Sequence, residues 1–433
     1  MRRRSVLRIV AAATLAAGLA LPAMTAELPH AARPEEVGLS SARLSRLSEW
    51  LQGEVARGAV PGAAIIIGRR GKIAYQQAVG FRDREANAPM PEDAVFRIAS
   101  MTKPIVSLGI MMLAEEGRLS LTDPVARHLP EFQEMRVGVP RTDPTTGRVS
   151  LALEPAARPI TVQDLLRHTS GLTYGNGEDP VAQAYRQANL RERGITSAEF
   201  IRRLAALPLM HQPGTHWEYS YSTDVLGRII EVVSGTDLHS FVVERIARPL
   251  GMTDTGFWAP QEATSRAAYP QTDRNTGRRP AVPDPLVRPS WFSGGGGMVS
   301  TARDYARFAQ FLLNKGELDG VRLVSRKTIE LMTANHLPAG TRYGGDIGTR
   351  FAALAPTPEM GQGFGLGFAV RTEAGLNPLP GSVGDYYWGG AYGTYFWVDP
   401  REDMYVILMM QAPAQRLPFR YQLRQFAYQA IVD

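Results

Sequence analysis

Apolar positions recur along this chain with several periods, and each period predicts a kind of element. In "LSSARLSRLSEWLQGEVARG" Leu44, Leu47 and Leu51 are spaced three and four apart, as on one face of a helix. "PGAAIIIGRRGKIAYQQAVG" reads instead as two strands joined by a turn near Arg69 to Gly71. A strand-like start at "FRIA" gives way at Ser100 to helical spacing through "IVSLGIMMLAEEG", which Gly117 closes. From Leu119 to Pro285 helical patterns such as "ITVQDLLRH" and "DVLGRIIEVVSG" alternate with loops of Gly, Pro and Asn. Strand-like runs then return in "GFGLGFAVRT", "GDYYWGGAYGTYFWVDP" and "MYVILMMQAP", and an amphipathic stretch leads to Asp433.

Strands at both ends with helices between them predict an α+β protein: one antiparallel sheet assembled from distant segments, flanked by helices, with a helical domain inserted. The expected division is a sheet domain over 27–118 and 286–433 and a mostly helical domain over 119–285. Residues 1–26, "MRRRSVLRIVAAATLAAGLALPAMTA", have the cationic start, short apolar run and small residues of an export signal, so a periplasmic or secreted protein with no membrane span after cleavage is expected. "RRSVLR" also resembles a twin-arginine signal, with Arg2 where that pattern prefers Ser or Thr.

The formal charge of +6 shrinks once this segment is set aside. Its four arginines and no acids leave 44 cationic side chains against 42 acidic ones, a balance of +2 that gives no electrostatic reason to expect nucleic acid. There is no cysteine and no His-Glu-x-x-His, so neither a metal site nor a cofactor is expected, and no Gly-x-Ser-x-Gly marks an α/β-hydrolase elbow.

The chain contains only four lysines, Lys72, Lys103, Lys315 and Lys327, and only Lys103 has a serine three residues before it. On a helix Ser100 and Lys103 share one face, and Pro104 is tolerated only near a helix start, where backbone N–H groups are unpaired and can hold an oxyanion. A serine hydroxyl needs a base. An amine serves where burial and the positive end of a helix dipole disfavour its ammonium form, whereas an arginine stays charged. An incidental pair at a surface helix start is the plain alternative.

Further segments decide between these readings: "PGTHWEYSYSTDVLGRIIEVVSG" with Tyr219, "ITVQDLLRHTSGL", "GGMVSTARDYARF", and Trp388-Gly389-Gly390 in "YYWGGAYGTYFWVDP". With Ser100-x-x-Lys103 they follow one another as in the class C β-lactamase-like serine hydrolases, and the chain most resembles the family VIII carboxylesterases. The resemblance implies a β-lactamase/penicillin-recognising-enzyme-like fold. It implies that Ser100 forms an acyl-enzyme while Lys103 and Tyr219 share the proton work, with either as the acylation base. It also implies an oxyanion hole from the N–H groups of Ser100 and Ala391, and a cleft strand in which Gly389 and Gly390 let substrate approach the backbone.

Two departures bear on the substrate. Trp388 stands where β-lactamases of this class have a cation, and Tyr221 stands where they have Asn, so a neutral, short-chain ester is expected rather than a carboxylated β-lactam. β-Lactamase, D-Ala-D-Ala peptidase or acyltransferase activity on the same machinery, and a non-catalytic acylated sensor, are the alternatives. His168 is expected to support a loop rather than act as base, and Gly294 to Gly297 to form a tight turn beside the cleft. The loops "LTYGNGEDP" and 335–360 are expected to shape the pocket.

Overall fold

The computed structural model describes residues 27–274 and 276–433, so the export signal read over 1–26 lies outside the described residues. Its centre is an eight-stranded antiparallel sheet. In chain order the strands are β1 (Gly62–Arg69), β2 (Lys72–Asp83), β3 (Ala88–Pro89), β4 (Gln362–Phe364), β5 (Ala369–Arg371), β6 (Tyr386–Gly389), β7 (Tyr395–Asp399) and β8 (Met404–Met410). Across the sheet they run β4-β5-β6-β7-β8-β1-β2-β3. N- and C-terminal segments therefore meet at the β1–β8 pair, where Ile66 faces Ile407.

Every residue of β1 and of β8 is buried. Alternate side chains of a strand point to opposite faces, so both faces of the sheet are covered here, which is why these strands read as unbroken apolar runs. Five helices matter for the site: α1 (Ser41–Ala56), α2 (Thr102–Glu115), α3 (Ser222–Ser234), α4 (Ala302–Leu313) and α5 (Arg416–Gln429). Helix α4 packs on β1, β7 and β8, while α1 packs on β2 and α5, with Trp50 against Phe419 at 4.8 Å. Helix α2 is buried from Thr102 to Leu113, apolar nearly all round, and lies against α3. Among the described residues no helix is long and apolar enough to cross a membrane.

Two segments differ from the reading of their pattern. "GFGLGFAVRT" is not one strand but the hairpin β4–β5, because Gly367 takes φ +104 and turns the chain. The segment read as mostly helical also carries a hairpin, Arg136–Thr142 paired with Val149–Pro155. Its pattern was hidden because both strands face water over much of their length and Pro140 interrupts one of them.

Candidate active site

Ser100 sits in a 3-10 turn, Ala99–Met101, that runs into α2. The turn is fixed on every side. Gln411 donates to the Arg97 carbonyl at 3.0 Å, Thr394 to the Ile98 carbonyl at 3.1 Å, and Tyr305 to the Met101 carbonyl at 2.9 Å. The Arg97 guanidinium bonds the carbonyls of Phe257 and Gly297, both at 3.0 Å. Ala99, the residue before the serine, has φ +46, a region that a residue with a Cβ rarely adopts. The half-buried Ser100 is thus held by tertiary bonds in a turn that local preference alone would not select.

Lys103, one turn along, is 1 % exposed. Its Nζ donates to the Tyr174 hydroxyl at 3.0 Å and to the Gly295 carbonyl at 2.6 Å, and lies 4.6 Å from the centre of the Tyr219 ring. The Gly295 turn is itself anchored by Asp224 of α3, which accepts from the Gly295 N–H at 3.0 Å and from the Ser293 hydroxyl. Glycine is needed at this approach: a Cβ on Gly294 would lie 2.4 Å from the Thr223 carbonyl, and one on Gly295 2.3 Å from Asp224. The Gly run is accordingly the tight turn beside the cleft that the sequence suggested, and it supplies an acceptor for the lysine. Burial, reinforced by Asp224 and Tyr219, pushes the Tyr174 hydroxyl well above the ordinary tyrosine range, so Tyr174 remains a phenol. Two of the Lys103 N–H directions are thus taken up by Tyr174 and Gly295.

Tyr219 is buried and accepts at its hydroxyl from the Trp388 indole N–H at 3.1 Å. Trp388 is 2 % exposed, packed against Tyr219, Phe351 and Phe364 with ring centres 5.2 to 5.4 Å apart. The indole read as an apolar cleft surface is therefore set within an aromatic cluster and orients the tyrosine hydroxyl. Tyr221 is also buried, its ring 4.5 Å from that of Tyr174, and burial raises its hydroxyl's pKa. His168, with φ +58, is buried 5.0 Å from the Tyr219 ring. Burial first, then the charges of Lys103 and Arg350, hold its imidazole well below the usual histidine range. Its carbonyl accepts the Glu218 N–H at 2.9 Å, steadying the residue before Tyr219, which fits a supporting part.

On the far side of the serine, β6 ends at Gly389 and turns through 390–393 into β7. A Cβ on Gly390 would stand 2.4 Å from the Ile98 carbonyl, so only glycine lets this turn approach the backbone leading to Ser100 so closely. Arg420 of α5 donates to the Gly390 carbonyl at 2.6 Å and fixes the turn from below. Gly389 lies over the same guanidinium. Ala391, next in the turn, is exposed, and among the described residues no backbone carbonyl accepts from its N–H.

The structure therefore gathers Ser100, Lys103, Tyr219, Trp388, Gly389, Gly390 and Ala391 from three separate stretches of chain, with Tyr221 packed against Tyr174. Tyr174 and Asp224 were not singled out from the sequence, although Tyr174 lies in "LTYGNGEDP", one of the two loops expected to shape the pocket, and Gly295 lies in the Gly294 to Gly297 run expected to turn beside the cleft. Arg350 and Phe351, which pack on the Tyr219 ring at 4.9 and 5.4 Å, lie in the other. The Gly-rich tract and the tyrosine in a polar loop were the available signals.

Comparison with known proteins places the chain in a family. Residues 47–429 match the profile of the Beta-lactamase family. Protein Rv1367c of Mycobacterium tuberculosis is 38 % identical over 361 residues, spanning 82 % of this chain and 86 % of that protein. Esterase EstB of Burkholderia gladioli is 33 % identical over 393 residues, spanning 85 % and 90 %. A solved structure described as "EstCE1, a hydrolase with promiscuous acyltransferase activity" superimposes with a TM-score of 0.72 at 26 % identity, covering 90 % of this chain and 99 % of that one. The chain belongs to the Beta-lactamase family, as a class C-like serine hydrolase on the β-lactamase/penicillin-recognising fold near the family VIII carboxylesterases.

Proposed function

We propose that the protein is an exported carboxylesterase, periplasmic or secreted, that hydrolyses short-chain esters, neutral around the reacting carbonyl, through an acyl-enzyme on Ser100. The observation that carries this reading is the buried Lys103 ammonium or amine, tied to Tyr174 and Gly295 and 4.6 Å from the Tyr219 ring, one helical turn from Ser100. In acylation the Ser100 oxygen bonds to the ester carbon and its proton passes to Lys103 or Tyr219. The carbonyl oxygen becomes an oxyanion that the N–H groups of Ser100 and Ala391 receive, and as it collapses the same proton passes to the departing alkoxide oxygen, which leaves as the neutral alcohol. Water repeats the sequence in reverse and frees the serine. The rings of Trp388, Phe351 and Phe364 give the wall beside Tyr219 an apolar face, which favours an uncharged ester unit against it. The test is release of nitrophenol from p-nitrophenyl acetate and butyrate. Release by Ser100→Ala protein at the wild-type rate would overturn the assignment.

Acyl transfer is a second reading, favoured by the likeness to EstCE1, whose description records acyltransferase activity. Product analysis in the presence of a short alcohol separates the two: a new ester marks transfer, free acid alone marks hydrolysis. β-Lactam cleavage ranks below both, because Trp388 replaces the expected cation, and nitrocefin turnover tests it.

A further inference from the structure

The aromatic wall around Tyr219 is overlaid by guanidinium groups that play no part in the proton chemistry. Arg350, on the short helix Ile347–Phe351, sets its Cζ 4.9 Å from the centre of the Tyr219 ring and 5.7 Å from that of Tyr174. Arg191, in the loop after the helix Pro180–Gln187, lies 5.7 Å from the same Tyr174 ring and 5.5 Å from Tyr221. Sharing one ring as neighbour, the two guanidinium carbons are at most about 11.4 Å apart. Once the cost of burial is met, Tyr221, Tyr174 and Asp224 favour the charge of Arg191, whose guanidinium also bonds the Tyr221 hydroxyl. Arg350 has one ion pair, with Asp346 at 3.2 Å, and among the described residues Arg191 has none. Asp224 accepts from Ser293 and the Gly295 N–H, so its charge is shared between that turn and Arg191. A third cation, Arg416 at the start of α5, also lacks an ion pair among the described residues, and after burial the field of Arg350 is what most disfavours its charge. A guanidinium has five N–H donors, so those left beside the bonds to Asp346 and Tyr221 can meet a carboxylate in two parallel bonds.

We propose that Arg350 and Arg191 bind a carboxylate on the ester substrate, several bonds from the reacting carbonyl, so that monoanionic esters are the preferred class. The cation absent at position 388 is then supplied from a different segment and at a greater distance from the serine. This inference rests on the esterase reading and deepens it.

The experiment compares kcat/KM for p-nitrophenyl butyrate, mono-p-nitrophenyl adipate and 4-carboxyphenyl butyrate, the last two placing the carboxylate on the acyl and the alcohol side. For at least one carboxylated ester, Arg350→Gln and Arg191→Gln should each lower kcat/KM about tenfold more than for the neutral ester, or ~1.4 kcal/mol. The loss should lie mainly in KM, with Arg350→Lys retaining most of the preference. Raising salt should weaken only the carboxylated reaction. Equal losses on all three esters in both glutamine variants, with no selective salt effect, would overturn the inference and leave the esterase reading standing. Failure of the wild-type protein to cleave any of the three would instead overturn the esterase reading.

Discussion

Replacing Asp164 with Asn tests how much the buried carboxylate of the short helix Val162–Leu166 contributes to stability. Asp164 is fully buried and accepts from Arg158 at 2.6 and 3.0 Å, the Thr161 N–H at 3.0 Å, and the hydroxyls of Thr161 and Thr169 and the Arg167 guanidinium at 2.9 Å. Burial by itself would raise this carboxyl, but Arg158, the Thr161 N–H and Arg167 outweigh it and hold it at about 2 against an ordinary 3.8. The charge is therefore bound more tightly in the folded chain, and by linkage it contributes about 2.4 kcal/mol at neutral pH. For a lowered carboxyl the sign is that this stability is complete above pH 3.8 and disappears as pH falls towards 2. At pH 3 roughly 1.1 kcal/mol of it should be gone.

Asn presents an NH2 group to a ring of donors and leaves two guanidinium groups uncompensated. Since the Arg158 side chain is 40 % exposed, the total loss at pH 7 should sit near 3 kcal/mol, the lower end for a broken buried pair. Urea unfolding of both proteins at pH 7 and pH 3 measures this. A deficit near 3 kcal/mol that narrows by about 1 at pH 3 is expected. A deficit under 1 kcal/mol, or one that does not change with pH, would refute the reasoning.

Three further changes probe the site directly. Tyr219→Phe keeps the ring and removes the oxygen that Trp388 bonds, so kcat/KM on p-nitrophenyl butyrate should fall by about 10²–10⁴, and a wild-type value would take Tyr219 out of the proton work. Gly390→Ala would put a methyl 2.4 Å from the Ile98 carbonyl and 2.1 Å from the Thr394 hydroxyl, parting the Ala391 amide from Ser100. A loss of kcat on the order of 100-fold is expected by stopped-flow or steady-state assay, and unchanged kcat would show that the close approach is dispensable. His168 takes up a proton more readily when unfolded, because burial and the neighbouring cations disfavour its charge. Stability should accordingly decline as pH drops below about 6.5, and His168→Gln should flatten that decline in urea midpoints between pH 7 and 5.

The sheet was legible because its central strands are apolar on both faces and its turns carry Gly. Period alone could not reveal the exposed hairpin 136–155, whose residues have little burial to impose a pattern. Ser100 and Lys103 could be found because helix spacing is local chemistry written in three residues. Tyr219 and Trp388 emerged only through resemblance, since nothing in an isolated Tyr or Trp distinguishes a packed ring from a catalytic one. Tyr174, Asp224, Gly295 and Arg350 act through contacts across long stretches of chain, such as Lys103 to Gly295, and those depend on how loops close over the helix. The strained turn at Ala99 is of the same kind: the residue type gives no warning of a positive φ that neighbouring strands impose.

The most direct measurement is the covalent state of the serine. Protein mixed with p-nitrophenyl butyrate, quenched with acid within the first turnovers and digested, should yield the Ser100 peptide carrying a single butyryl group, absent from Ser100→Ala protein. Nitrophenol released with that peptide unmodified, or a butyryl group on any other residue, would contradict nucleophilic attack by Ser100.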